Sequence, residues 1–306
     1  LVFIAGCLYI VLNRNKNQQV LFVIAYLAGS EVLFRMVDGA SYEFAKYTIL
    51  IFSLFGVFYS GFSRKSLLYL LYFLLLVPSL LITNDFLLMS RDQINVVIMS
   101  NIGPICLTGL AIYTFGKKVS FAQISQMLLL LALPSIAIAT NVFLQNPDVK
   151  LLIHADSNPK FSGLFGPNQV CTALGMGMFL FFLRAILNSQ SRIIFAINLF
   201  IGSFLAYVGL LTLSRAGMIT GFCALVVTGV FVFYKSKDYG KSKVKSGLIA
   251  FLVCFFAVFS LISYHTDGLL VKRYTNRDHL GRTKRVKESD RLSIASREVN
   301  LFIKNP

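Results

Sequence analysis

Ten stretches of the chain are written mostly in apolar residues, and most of the charged residues fall in the breaks between them. The stretches cover residues 1–12, 20–35, 44–62, 66–82, 94–115, 121–144, 167–187, 193–213, 216–234 and 248–264. Most approach the roughly twenty residues that a helix needs to cross the ~30 Å hydrocarbon core of a bilayer. The pattern predicts an all-α, polytopic integral membrane protein with about ten transmembrane helices. The first stretch, "LVFIAGCLYIVL", reads as a span already under way, without the basic start of a cleavable signal. The chain stops in mid-loop at "FIKNP", so both ends read as cut from a longer protein.

Composition agrees with this reading. Hydrophobic residues make up 56% of the 306 positions and charged residues 14%, against about 25% charged in a soluble domain. Mean hydropathy is +0.72. The five cysteines (Cys7, Cys106, Cys171, Cys223 and Cys254) all fall inside apolar runs without CxxC spacing, so they read as small buried hydrophobes. With no tryptophan, any interfacial aromatic belt must be built from tyrosine.

The loops alternate in charge. Arg14 and Lys16 lie in the first, Arg64 and Lys65 in the third, Lys117 and Lys118 in the fifth, and Arg192 in the seventh. Lys235, Lys237, Lys241, Lys243 and Lys245 fall in the ninth, whereas the intervening loops hold Asp38, Glu43, Asp85, Asp92, Asp148 and Asp156. The positive-inside rule places the lysine-rich loops in the cytoplasm. The tail from His265 resists it, with ten Lys/Arg against five Asp/Glu on the outer side. The expected domains are a transmembrane bundle over 1–264 with an outer loop at 145–166, and a basic extracytoplasmic loop over 265–306. No solenoid repeat and no paired Gly/Pro-interrupted segments of an inverted-repeat transporter are visible.

This topology gathers the ionisable residues near the outer surface. Glu31, Arg35 and Asp38 fall at one span end, Glu43 and Lys46 at the start of the next, and Ser214–Arg215 at a tight turn. Glu31 and Arg35, four apart, also fit a plain helical ion pair, and Arg215 also fits a snorkelling anchor. His154, His265 and His279 stand alone and read as solvated, as does the basic run 272–291. At 160–169, "KFSGLFGPNQ" joins a polar loop to an apolar run. Pro167 suits the first helical turn, Gly166 its cap, and Asn168 faces outward. Gly163 permits a turn or a close approach. A helix N-terminus beside Lys160 can cradle a phosphate or diphosphate. The same residues also fit a re-entry turn.

"KFSGLFGPNQVCTALGMGMFL", followed one span later by "LTLSRAG", resembles the O-antigen ligase family of bacterial cell-envelope glycosyltransferases, which includes O-antigen and exopolysaccharide polymerases. "SREVNLFIKNP" (296–306), "EVLFRMVDG" and "YEFAKY" are similar to further stretches of that family. The resemblance covers most of the chain through short, degenerate motifs. It implies a GT-C-like membrane architecture in the bacterial inner membrane with the active site facing the periplasm. An undecaprenyl-diphosphate-linked glycan would be the donor, and lipid A–core or a second lipid-linked glycan the acceptor. No metal, cofactor or nucleic acid is implied. By the resemblance, Arg215 and Lys160 are the catalytic cations on the donor diphosphate, and Gly163, Pro167, Asn168, Ser214 and Arg297 complete the substrate-binding set. Lys160 departs from the family's arginine, keeping the charge but losing the bidentate fork. The family's loop histidine would lie beyond Pro306. A flippase for lipid-linked oligosaccharide is the alternative, which would call for charges at mid-span and broken helices.

Overall fold

A computed structural model describes residues 1–39, 41–81, 91–145, 159–189, 191–236, 238–277, 281–282 and 291–304. His154, His279, Asp85, Asp148, Asp156 and Lys237 lie outside the described residues. Each apolar stretch folds as a helix: α1 (Val2–Asn13), α2 (Gln19–Met36), α3 (Phe44–Ser60), α4 (Leu68–Leu81) and α5 (Arg91–Thr114). There follow α6 (Phe121–Gln145), α7 (Pro167–Asn188), α8 (Arg192–Leu211), α9 (Ala216–Lys235) and α10 (Asp238–His265). The tail adds α11 (Leu269–Tyr274) and α12 (Arg291–Lys304), and no strand occurs among the described residues.

Among the described residues, six helices (α2, α6, α7, α8, α9 and α10) are long and apolar enough to cross a membrane, against the ten spans expected from the sequence. The helices over Val2–Asn13 and Phe44–Ser60 are apolar but shorter. Large apolar side chains such as Phe58, Phe200, Val227 and Phe231 stand on the outside of the bundle. So much exposed apolar surface suits lipid, not water. The structure is that of an all-helical, multi-pass membrane protein.

Lipid tails are as apolar as leucine, so helices in a bilayer associate by close packing rather than by hydrophobic burial. α7 shows how. It is the central helix, with α6, α8 and α9 packed around it. Its small residues meet those of α9 so closely that a Cβ on Gly217 would lie 2.2 Å from the Cys171 carbonyl oxygen. A Cβ on Gly175 would lie equally close to the Gly217 carbonyl. This seam lays α7 and α9 side by side with both N-termini at one end. A smaller cluster around Ile10, Leu27, Phe52 and Tyr113 joins α1, α2, α3 and α5.

The loops that hold Arg14, Lys117 and Lys243 lie at one end of the bundle, the basic end. At the basic end the Asn15 side chain donates to the Ser60 hydroxyl (2.7 Å) and the Tyr113 hydroxyl (3.1 Å). Lys117 there donates to the carbonyls of Ser60 and Gly61, and Lys243 to that of Ser189. Two sequence expectations change. Helix α10 begins about ten residues early, so Lys241, Lys243 and Lys245 are helical; lysine is a good helix former and an apolar window sees only the lipid-facing part. Cys223 is exposed, and its thiol has no part in the core.

Candidate functional site

The opposite end gathers the residues singled out in the sequence. Pro159–Ser162 form one 3-10 turn with Phe161 and Ser162 buried and Lys160 exposed. Gly163 (φ 66°) and Leu164 (φ 60°) then take the left-handed conformation. Glycine suits position 163, where φ is positive and a Cβ would lie 2.8 Å from Met36 Cε at the end of α2. Leu164 holds a conformation that L-residues avoid while its side chain is exposed, so the turn is fixed by its surroundings. Gly166 caps α7 without a side-chain bond, Pro167 fills its first position, and Asn168 is exposed in its first turn.

The α7–α9 seam brings the second motif to the first. Asn168 Oδ1 accepts from the Ser214 hydroxyl at 2.8 Å, and the Cys171 thiol donates to the Ser214 carbonyl. Arg215 is the residue capping α9. A cation at a helix N-terminus opposes the partial positive charge there. Among the described residues no carboxylate lies within ion-pair distance of it. Its Nη1 donates to the Arg273 carbonyl at 3.2 Å, and Arg273 Nε donates back to the Leu213 carbonyl at 2.9 Å. These reciprocal bonds pin α11, through buried Leu269 and Leu270, onto the α8–α9 turn. The Tyr274 hydroxyl is buried there without a partner. Burial pushes its phenol well up from its usual value, against the pull of Arg215 and Arg273, so it stays a proton donor.

Beside Asn168, α2 and α7 bound an open cleft of about 390 Å³. Asn168, Gln169 and Thr172 line it from α7, and Gly29, Glu31 and Arg35 from α2. Arg35 is the hub of the α2 wall, 2.5 Å from Glu31, 3.9 Å from Glu43 and 3.9 Å from the centre of the Tyr42 ring. Lys46 pairs with Glu43 at 2.6 Å. The cleft therefore has a charge-balanced wall on α2 and a polar, neutral wall on α7.

Of the sequence-predicted residues, the structure joins Asn168 and Ser214 directly, with Arg215 next to Ser214 in the chain. It sets Lys160, Gly163 and Pro167 in the turn that leads into the same helix. Arg297 stays apart: it is exposed on α12, with no hydrogen bond or ion pair to the cleft among the described residues. His265 is exposed, its ring against Tyr264, as a solvated residue should be. Arg273 and Tyr274 were missed by sequence reasoning, because they lie in the run read as solvated loop. The available signal was the apolar pair Leu269–Leu270 just after Gly268, which marks a segment returning to the bundle. The described residues contain no cluster of His, Cys, Asp or Glu able to hold a metal. No family model, no curated protein and no solved structure matches the chain.

Proposed function

We propose that the chain is a metal-independent membrane glycosyltransferase. It would move a glycan from an undecaprenyl-diphosphate carrier to an acceptor sugar at the outer face of a bacterial inner membrane, as an O-antigen ligase or polymerase does. The observation that carries this reading is Arg215. It is a guanidinium without an acidic partner among the described residues, capping α9 next to Ser214, whose hydroxyl bonds Asn168 in the first turn of α7. Two positive helix ends and one arginine make an unfavourable neighbourhood when empty and a favourable one around a diphosphate.

In the proposed reaction an acceptor hydroxyl attacks the anomeric carbon. The bond from that carbon to the diphosphate oxygen breaks, and undecaprenyl diphosphate leaves with the electron pair. Arg215 and Lys160 would neutralise the charge that grows on the leaving group, and the Tyr274 hydroxyl would donate beside them. Glu31 and Arg35 on the cleft wall have the paired acceptor and donor character that holds sugar hydroxyls. Among the described residues the ionisable groups named here cluster at helix ends, which supports transfer over flipping.

The test is glycan transfer in membranes that carry Arg215→Ala or Lys160→Ala at wild-type abundance. Loss of one such donor should lower turnover by about 100-fold or more. Undiminished transfer in both variants would sink the proposal.

A further inference from the structure

We propose a second site, at the opposite end of α7, for the phosphate diester and acyl chain of an anionic phospholipid. It rests on the membrane-spanning fold and is independent of the proposed transferase reaction. Between α6 and α7 lies a cavity of about 130 Å³. Leu128, Leu183 and Leu187 give it apolar walls, and Ser125, Arg184 and Asn188 form one polar corner. Arg184 Nη1 lies 3.3 Å from the Ser125 carbonyl oxygen and 3.4 Å from its hydroxyl oxygen. The Asn188 amide donates to the same hydroxyl. Arg184 Nε is buried without a hydrogen-bond partner. No carboxylate lies within ion-pair distance of Arg184 among the described residues.

The corner is thus rich in donors and poor in negative charge. Because the Ser125 oxygen accepts from two neighbours, its own hydrogen is left to donate. Depth fixes the kind of acceptor. Arg184 and Ser125 each sit four residues inside a helix end, at Asn188 and Phe121, or about 6 Å along the axis. That is the level at which phosphate gives way to acyl chain. A cation inside a span is retained where it finds a counter-group, and basic pockets between helices take anionic headgroups. A free phosphate would leave the leucine walls unused; a diacyl lipid uses both halves of the cavity. Lys117, Lys118 and Arg192 flank this end, so a headgroup carrying its own cation is disfavoured.

The absence of tryptophan supplies the experiment. Phe121, exposed at the rim of the cavity, is replaced as Phe121→Trp to give the only tryptophan in these 306 residues, any tryptophan outside them being changed to phenylalanine, and the protein is placed in bilayers. Quenching by brominated phosphatidylglycerol and by brominated phosphatidylcholine yields their relative affinity at this point. A second protein with Leu12→Trp, exposed beside Arg14 at the same end, reports general electrostatic enrichment. The expected preference for phosphatidylglycerol is about tenfold at Phe121→Trp and far smaller at Leu12→Trp. Adding Arg184→Gln should return the ratio to that of the Leu12→Trp protein, and Arg184→Lys, which keeps the charge and the fold, should fall between. Equal preference at both reporters would overturn the proposal. So would a ratio that Arg184→Gln and Arg184→Lys leave unchanged. Competition by millimolar glycerol phosphate would show a free-anion site and overturn the lipid assignment.

Discussion

The two ends of α7 each hold an arginine close to a helix terminus, yet the electrostatics are opposite. At the far end Arg184 lies just before the last turn of α7, on the side of its partial negative charge, where a cation is welcome. At the near end Arg215 caps α9, where unpaired N–H groups carry partial positive charge and a cation is not. Arg184 therefore meets a favourable helix end, while its buried Nε still lacks an acceptor. Arg215 meets an unfavourable helix end, offset by its bond to the Arg273 carbonyl, which ties α11 to the α8–α9 turn. The same side chain thus meets opposite helix-end fields at the two ends of α7.

Breaking the seam that builds the near end should have the largest effect. A side chain at Gly217 collides with the Cys171 backbone, which no rotamer can relieve. Gly217→Leu should cost about 3 kcal/mol or more and leave little folded protein in a detergent-solubilised thermal unfolding measurement. Next comes Arg215→Ala, with transfer per folded molecule lowered about 100-fold, well beyond the roughly 1 kcal/mol of stability lost with its bond to the Arg273 carbonyl. A large drop in stability instead would make Arg215 an anchor and erase the contrast with Arg184. Arg184→Ala should do the reverse, losing about 2 kcal/mol of stability while transfer per folded molecule is kept.

How much of this could be read from the chain differs between the two ends. The helices were legible because lipid demands long apolar runs, and the i, i+4 pair of Glu31 and Arg35 was legible from spacing alone. Arg184 was also in plain view as a lone charge inside the 167–187 run, and positive-inside counting over the loops passed it by. The near end was legible only in pieces. Gly166, Pro167 and Gly163 are local backbone devices and show in the sequence. The Asn168–Ser214 bond joins residues 46 positions apart and depends on the α7–α9 seam. Likewise, the reciprocal Arg215–Arg273 pinning arises only when α11 folds back. A string of basic residues cannot reveal which of them meets a carbonyl.

The smallest effect is the sharpest test of how that near end works. Asn168→Ala removes one neutral hydrogen bond from Ser214 at a site where Asn168 is itself exposed, so the stability loss should be only about 1 kcal/mol. If the bond merely ties two helix ends together, transfer should fall no further than the loss of folded protein explains. If it sets the Arg215 guanidinium against the α7 N-terminus, turnover should fall more than stability does. Asn168→Asp then makes a second distinction. It can still accept from Ser214, but it places a carboxylate where the diphosphate should bind. Stability should hold in Asn168→Asp, through the hydrogen bond and the favourable helix-end charge. Transfer should fall below that of Asn168→Ala. Equal transfer in the two variants would mean that no anion approaches this pair of helix ends, and the contrast between Arg215 and Arg184 would then be one of packing alone.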